Sequence, residues 1–435
     1  MYGYSQEEYR RFRSHAWRYL LFFSLLYCFL YCTRLNLSNV GALMTEGLGW
    51  SKTDFGILTG ALFWAYGIGQ FVNGRLGEIA GPAKFVVSSV VLSVVANVGM
   101  AFLDSLPAMA VLWGLNGYFQ SMAWTPGVAI LARWWPGRSR GFAVGFAHAF
   151  AGFGQIAAIL SVSLGFALFP SLGWRSAFVV SAAFPLVALA AYMVWSRTGP
   201  SKIGLSEYVE SDPERAKIED EMRAIVAERG RLYPYRHVLS DRRFVLWLAV
   251  VFLAGLLCYG LVTWMPMCFI SRFGMDATGG LLGSATLPVG MGVGTLVVTS
   301  LTDLRCPGNR LQAVIACGAV AAVGIAGVFF LDPTDALQKF AIWVLLFVTG
   351  FSVYAINGVA WAYATDVGGR VFSATALGIL NFASYMGAAV QSLLCGHILD
   401  RAGWGLVFVS LSLSSLAVSF LGLAGSLSAM PSREK

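Results

Sequence analysis

The sequence predicts an all-α integral membrane protein, with twelve transmembrane helices arranged as two six-helix halves. Of its 435 residues, 57% are hydrophobic and only 12% are charged, a composition outside the range of soluble domains. Uncharged apolar runs of about 20 residues recur along the chain, the length that a helix needs to cross a bilayer. The last six runs repeat features of the first six, which indicates an internal duplication.

The predicted spans fall into an N-terminal half over residues 1–196 and a C-terminal half over residues 244–435, joined by a polar linker at 197–243. Their approximate bounds are 17–44, 55–77, 84–103, 107–132, 141–169, 174–196, 244–270, 278–302, 311–331, 336–363, 371–397 and 403–429. Spans five and eleven align glycine for glycine, and spans six and twelve both open with Gly-Trp.

Basic residues alternate in density from one link to the next, which predicts the orientation of the chain. The link between spans four and five carries Arg133, Arg138 and Arg140, whereas the next link carries only Arg175. Because cytoplasmic loops are enriched in Lys and Arg, both termini are predicted to be cytoplasmic. The net charge of +8 is therefore an orientation signal, and we predict no nucleic-acid partner.

The polar linker holds most of the acidic residues and one helix signal. Ser211-Asp-Pro-Glu214 resembles a capping box, and Ile218, Met222 and Ile225 form an apolar stripe at helical spacing. This pattern predicts a short amphipathic helix at the cytoplasmic surface.

The first span contains one charge, Arg34, in the middle of the apolar run at 19–44. Tyr27, Tyr31, Arg34 and Ser38 follow one helical stripe. An arginine so far from either end of a span faces protein or a water-filled cavity. A buried cation flanked by hydroxyl groups predicts an anion-binding site; the alternative is a structural arginine paired with a carboxylate on another helix.

His148 in the fifth span is the second ionisable residue predicted at membrane depth. It lies among glycines and aligns with Asn381 of the eleventh span, which is a further candidate for a substrate contact. A histidine there is able to bind an anion, although a histidine bonded to a backbone carbonyl is the alternative. Polar stripes at Tyr66 to Asn73 and on spans four and ten give weaker candidates for substrate contacts, namely Gln70, Gln120, Trp124 and Asn357.

Two six-helix halves related by an axis along the membrane normal resemble the major facilitator architecture, whose substrate site lies between the halves. The segment Asn73-Gly-Arg-Leu-Gly-Glu78 after the second span resembles a loop motif of that superfamily, and Thr302-Asp-Leu-Arg305 is a weaker repeat of it. The resemblance implies ion pairs that gate transport at helix ends. The candidate gating residues are Arg75, Glu78, Asp303 and Arg305.

Three motifs resemble the organophosphate:phosphate antiporters. They are Tyr27-x3-Tyr31-x2-Arg34, Asn116-x3-Gln120-x3-Trp124 and His148-x3-Gly152-x-Gly154. The resemblance implies that Arg34 and His148 hold a phosphate group with help from the tyrosines, and that Tyr259 of the seventh span contacts substrate. Cys258 stands where that family has a second arginine, and Gln70 stands where it has a lysine. These departures favour an anion of lower charge, such as a carboxylate or a phosphodiester.

The predicted function is therefore secondary active transport of an organic anion, organophosphate-like or carboxylate, by alternating access and antiport. An organic anion:proton symporter is one alternative, because Arg34-Leu-Asn-Leu-Ser38 is similar to a run in that group; Thr33 and Gln120 replace its usual acidic residues. A membrane sensor of an organophosphate, without transport, is the other alternative.

The remaining expectations concern catalysis, cofactors, cellular location and partners. Nothing resembles a catalytic constellation or a nucleotide-binding loop, and the seven cysteines have no zinc-site spacing, so we predict neither an enzyme nor a metal or cofactor site. We expect a monomeric, multi-pass protein of the bacterial inner membrane. Its partners are the lipid bilayer, a small anionic substrate and, as counter-substrate, inorganic phosphate.

Overall fold

The computed structural model describes residues 4–135, 139–206, 221–222, 224–230, 232–305, 310–333, 335–367 and 369–428. Within these ranges every regular element is a helix. The prediction of an all-helical membrane protein is confirmed at this level.

The first half of the chain supplies α1 (Gln6–Leu30), α2 (Cys32–Leu48), α3 (Lys52–Ala80), α4 (Pro82–Met100), α5 (Leu106–Trp134), α6 (Ser139–Leu168) and α7 (Arg175–Trp195). The second supplies α8 (Tyr233–Ser240), α9 (Arg242–Ser271), α10 (Ala277–Ser284), α11 (Thr286–Arg305), α12 (Arg310–Phe329), α13 (Ala336–Val367) and α14 (Gly369–Ser428). Short 3₁₀ turns occur at Pro170–Leu172 and Pro200–Ile203.

Nine stretches of the described residues are long and apolar enough to cross a membrane. One of them, Thr375–Ser426, has 52 residues and covers most of the eleventh and of the twelfth predicted span. The helix that carries it, α14, has a non-helical residue at Gly403, with φ 70° and ψ −169°. Glycine suits this position because it adopts positive φ without a Cβ clash. Helices α3 and α5 have 29 residues each but carry more polar side chains, and they lie outside the nine.

The first predicted span, 17–44, differs from the structure in two ways. Its helix already begins at Gln6, and it is interrupted at Tyr31, between α1 and α2. There the Tyr31 N–H donates to Cys28 O at 3.1 Å, and the Arg34 N–H donates to Tyr31 O at 3.1 Å. Such three-residue hydrogen bonds tighten the helix locally. Gly154 of α6 packs against this turn, since a Cβ at Gly154 would lie only 2.6 Å from Cys28 O.

The chain forms two compact units, the first made of Met1–Val40 and Trp64–Lys217. Buried amide side chains connect its helices. Asn36 of α2 donates through Nδ2 to Asn97 Oδ1 of α4 at 2.8 Å, and Asn97 Nδ2 donates to Phe178 O of α7 at 2.7 Å. Both asparagines are fully buried, so these bonds satisfy polar groups that apolar surroundings would otherwise penalise.

The second unit is made of Gly41–Phe63 and Ile218–Lys435. In it, the Asp400 carboxylate of α14 accepts from the backbone N–H groups of Lys52 and Thr53, both at 2.8 Å. Asp400 therefore caps the N-terminus of α3 from a distant part of the chain. Nearby, the rings of Phe55 and Trp264 meet edge to face at 5.2 Å.

Two sets of predicted features lie outside the described part of the chain. The capping box at Ser211–Glu214 and residue Ile218 are among the undescribed residues, whereas 224–229 is helical. The four gating candidates lie in helical backbone of α3 and α11, but their side chains are not described. The gating residues and the predicted linker boundaries at 196 and 244 therefore stay predictions.

Candidate functional site

The centre of the candidate site is Arg34, which lies near the start of α2 and is only 3% exposed. Its Nε donates to Gln120 Oε1 of α5 at 2.7 Å. The guanidinium carbon lies 4.6 Å from the ring centroid of Tyr31 and 4.5 Å from that of Tyr66. These three contacts are with neutral groups. They orient the guanidinium, but they do not cancel its positive charge.

The energetic consequence is a site that favours an anion. A charge at the centre of a bilayer costs at least about 2.5–3.5 kcal/mol. A desolvated cation–π contact returns about 2 kcal/mol, and a hydrogen bond to a charged group returns about 1.5–3 kcal/mol. The contacts with Tyr31, Tyr66 and Gln120 thus make a buried Arg34 tolerable, while a bound anion would add a further favourable Coulomb term.

The tyrosines form an aromatic group beside the guanidinium. Tyr27 and Tyr31 are one turn apart, and their rings meet edge to face at 5.9 Å. The Tyr27 and Tyr66 hydroxyl oxygens are 3.5 Å apart. All three rings are buried, with Tyr66 only 1% exposed. The predicted stripe of Tyr27, Tyr31 and Arg34 is therefore present as a contiguous cluster despite the turn at Tyr31.

Trp124 connects this cluster to His148. Its ring lies 4.6 Å from that of Tyr27 and 5.7 Å from that of His148, the latter edge to face. His148, on α6, has an exposed side chain, in contrast to the buried Arg34. The buried guanidinium of Arg34 and the exposed imidazole of His148 are thus connected through three aromatic rings, those of Tyr31, Tyr27 and Trp124. Gln155, on the same face of α6 as His148, is buried, and its Oε1 has no hydrogen-bond partner within the described part of the chain.

Gln120, one of the predicted substrate contacts, lies in the interior of the first unit. It is fully buried, and the acceptor end of its amide contacts Arg34. Gln70 is half-buried and lies one turn after Tyr66 on α3. It has no described contact with Arg34 or with the tyrosines.

The other predicted contacts belong to the second unit. The Tyr259 ring on α9 lies 4.7 Å from Phe63 and 5.6 Å from Tyr385. Asn357 on α13 is buried, and Asn381 on α14 is half-buried. The first unit by itself therefore brings together six of the ten predicted substrate contacts: Tyr27, Tyr31, Arg34, Gln120, Trp124 and His148.

Sequence reasoning did not single out Tyr66, although the structure places it directly against Arg34. The available signal was its position on the polar stripe of the second span with Gln70 and Asn73. That stripe gave no reason to prefer Tyr66, because aromatic residues in membrane helices more often serve packing.

Comparison with known proteins supports a transporter fold. Residues 23–392 match the model of the Major Facilitator Superfamily. The solved structure of a D-xylose-proton symporter aligns with a TM-score of 0.72 at 16% identity, covering 95% of this chain and 97% of that one. At this identity the structural likeness concerns the fold alone.

Three curated relatives align over nearly the whole chain. A probable hexose phosphate transport protein of Chlamydia pneumoniae is 26% identical over 412 residues, covering 91% of this chain and 88% of its own. The phosphoglycerate transporter protein of Salmonella typhimurium is 27% identical over 412 residues, covering 92% and 86%. The membrane sensor protein UhpC of Escherichia coli is 24% identical over 445 residues, covering 98% and 94%.

The resemblance to organophosphate transporters, inferred from three short motifs, is thereby confirmed over both halves of the sequence. The family model covers the first-span arginine, the fifth-span histidine and most of the C-terminal helices. Together with the all-helical fold and the buried Arg34, this match shows that the chain belongs to the Major Facilitator Superfamily.

Proposed function

We propose that this protein is a secondary active transporter that moves a small organic anion across the bacterial inner membrane by alternating access. The observation that carries the proposal is Arg34, a cation buried at membrane depth whose Nε donates to Gln120 and whose guanidinium carbon lies over the rings of Tyr31 and Tyr66. His148 and the tyrosines Tyr27 and Tyr31 are proposed to complete the anion site.

The class of substrate follows from charge. Relatives named as hexose phosphate and phosphoglycerate transporters support a phosphate ester. A phosphate monoester carries about −1.5 to −2 charges near neutrality. The single positive charge of Arg34 balances about half of this negative charge. Cys258 and Gln70 add no positive charge, although the organophosphate:phosphate antiporters have basic residues at these two positions. We therefore propose an organophosphate-like anion or a carboxylate of low charge.

The proposed topology has twelve spans in two six-helix halves, with both termini in the cytoplasm and α14 counted as two spans separated at Gly403. Alternating basicity of the links supports this orientation. We propose that the transporter functions as a monomer. We propose three domains: an N-terminal half at 1–196, a linker at 197–243 and a C-terminal half at 244–435.

The proposed mechanism is exchange, with inorganic phosphate as the counter-substrate. Closing protein around the buried Arg34 cation costs desolvation energy. A bound anion removes that cost, so the loaded protein changes conformation more readily than the empty one. This asymmetry is the electrostatic basis of an antiporter.

The test is thermal unfolding of the purified protein with a panel of anions. The panel contains inorganic phosphate, glycerol-3-phosphate, hexose phosphates, phosphodiesters, monocarboxylates and dicarboxylates, each also measured with Arg34→Ala. A ligand at about 100 times its Kd stabilises the folded state by about 2.7 kcal/mol, which gives a clear rise in melting temperature. We expect at least one anion to stabilise the parent protein and to have no effect on Arg34→Ala.

The pattern of stabilising anions then decides the substrate class. Stabilisation by sugar phosphates and by inorganic phosphate supports organophosphate exchange. Stabilisation by carboxylates or phosphodiesters alone indicates that Cys258 and Gln70 mark a change of substrate. If no anion acts through Arg34, the anion site itself is refuted.

Two alternatives are separated by a flux measurement in liposomes. The match to the sensor UhpC over 98% of this chain favours a sensor as the second candidate. A sensor would bind its anion without exchanging it across the bilayer. A proton symporter would accumulate the anion when an inward proton gradient is imposed, whereas an antiporter requires anion on the opposite side.

A further inference from the structure

The amide of Gln120 is held at both ends inside the first unit. Its Oε1 accepts from Arg34 Nε at 2.7 Å. Its Nε2 lies 3.1 Å from Thr33 O, 3.1 Å from Ser93 Oγ and 3.2 Å from Asn116 Oδ1. The carbonyl of Thr33 is only an acceptor, so the end of the amide that faces it must be the donor. The acceptor end therefore points to Arg34.

Hydrogen bonds of Asn116 and Ser93 stabilise this orientation of the Gln120 amide. Asn116 donates through Nδ2 to Thr33 O at 2.8 Å, which leaves Asn116 Oδ1 to accept from Ser93 Oγ at 2.6 Å. Thr33 Oγ1 and Ser93 Oγ are a further 3.3 Å apart. All these side chains are buried, with Asn116 and Gln120 at 0% exposure. Substrate therefore cannot reach the amide of Gln120 without displacing other side chains.

We propose that Thr33, Ser93, Asn116 and Gln120 form a positioning network that orients the guanidinium of Arg34 and supplies no negative charge to it. Gln120 is a positioning residue in this network and not a substrate ligand. The inference rests on the proposed anion site, because orienting Arg34 matters for function only if Arg34 binds an anion.

The network also makes position 120 selective for an amide. A carboxylate there would direct its second oxygen at Thr33 O and Asn116 Oδ1, two acceptors about 3 Å away, without a proton between them. The same carboxylate would pair with Arg34 and cancel its charge. A neutral donor–acceptor group at position 120 therefore orients Arg34 without placing a negative charge beside it.

The first arm of the test needs no substrate. Melting temperatures are measured for the ligand-free parent, Arg34→Met, Gln120→Met and the double variant. Because Gln120 contacts Arg34 directly, we expect Gln120→Met to lower the melting temperature clearly less in the Arg34→Met background than in the parent. Additive shifts would overturn the proposal. If Gln120→Met does not fold, Gln120→Glu replaces it in the same cycle with the opposite sign expected: it should lower the melting temperature more in the Arg34→Met background, because its buried carboxylate then loses its paired cation.

The second arm measures binding of inorganic phosphate and glycerol-3-phosphate, together with anion exchange in liposomes. For Gln120→Met we expect the Kd and KM to rise about tenfold while the maximal exchange rate changes less than about twofold, because only the orientation of a binding group is lost. For Gln120→Glu we expect a loss of about 100-fold or more, because the cation is neutralised. Parent-like affinity in Gln120→Glu would overturn the proposal.

The design includes a matched control variant, and it distinguishes failure of this inference from failure of the proposed function. Gln391→Met removes a glutamine on α14 that is equally buried and whose Oε1 has no hydrogen-bond partner among the described residues. We expect this variant to bind anions as the parent does. If neither phosphate nor glycerol-3-phosphate binds the parent and no other anion acts through Arg34, the proposed function fails. The ligand-free cycle then still decides whether Gln120 positions Arg34.

Discussion

Arg34 has a hydrogen-bond acceptor at its Nε and two aromatic rings against its guanidinium. The acceptor, Gln120 Oε1, sets the direction of the Nε–H bond. The guanidinium carbon lies over the rings of Tyr31 and Tyr66, which limits its movement towards them. Planar, forked donors bind carboxylates and phosphates best when the plane is held in advance, so both kinds of neighbour contribute to recognition.

Tyr66 provides a residue-scale prediction. Tyr66→Leu removes a ring 4.5 Å from the guanidinium carbon, and we expect it to weaken anion binding by about 1–2 kcal/mol, or roughly tenfold in Kd. Tyr66→Phe keeps the ring and loses only a hydroxyl 3.5 Å from that of Tyr27, a distance too long for a strong bond. We expect Tyr66→Phe to stay within about threefold of the parent. Equal losses in both variants, measured by anion-dependent thermal shifts, would contradict the cation–π interpretation.

At the scale of elements, the turn at Tyr31 places α1, α2 and α6 in close contact. Gly154→Ala would put a methyl group 2.6 Å from Cys28 O and 2.9 Å from Tyr31 Cβ. Overpacking of this kind costs about 1–3 kcal/mol, so we expect a lower melting temperature and weaker anion binding through displacement of Arg34.

Gly145 on the same helix is the control for this substitution, because a Cβ there meets nothing within 4 Å. Gly145→Ala should leave the stability unchanged or raise it by up to about 1 kcal/mol through helix propensity. Similar destabilisation by both alanine variants would show that α6 depends on its glycines for another reason.

The N-terminus of α3 gives a second prediction at this scale. Asp400→Ala removes the acceptor of the Lys52 and Thr53 N–H groups, and we expect it to lower the free energy of unfolding by about 1 kcal/mol. Asp400→Asn should retain most of the stability, because asparagine is an equally good cap. Asp332, an exposed residue, is the control for loss of an acidic side chain. A melting temperature unchanged in Asp400→Ala would mean that water replaces the cap without cost.

For the whole molecule, the proposed topology predicts which residues a membrane-impermeant thiol reagent reaches. The six described cysteines are buried, so a background with Cys306→Ser should react weakly. In sealed cells, Cys introduced at the exposed Ser171, between spans five and six, should react from outside. Cys introduced at the exposed Ser5 should react only after the membrane is permeabilised. The reverse pattern would invert the orientation inferred from the basic links.

The sequence was sufficient to predict the helical membrane class and the cluster at Arg34, because both depend on local properties. A cation in an apolar run is visible in one span, and the Tyr27–Tyr31–Arg34 stripe needs only helical geometry. The turn at Tyr31 was not predicted, because neither glycine nor proline marks it and its cause lies partly in packing against Gly154. The cap by Asp400 was missed for a similar reason: the two ends of the contact are 347 and 348 residues apart.

The role of Gln120 shows the same limit more sharply. Its side chain could be placed on a polar stripe, but a stripe does not say whether an amide faces substrate or another helix. That distinction depends on Thr33, Ser93 and Asn116, which come from three different helices.

The amide network also bears on how this protein can evolve. Glutamine and glutamate codons differ by a single base, so an acidic residue at position 120 is always one mutation away. The backbone carbonyl of Thr33, however, cannot be exchanged by any codon change, and it remains an acceptor whatever side chain faces it. An ionised acid at this position therefore requires changes in the surrounding helix contacts as well, so a step from one type of ion coupling to another involves more than this one substitution.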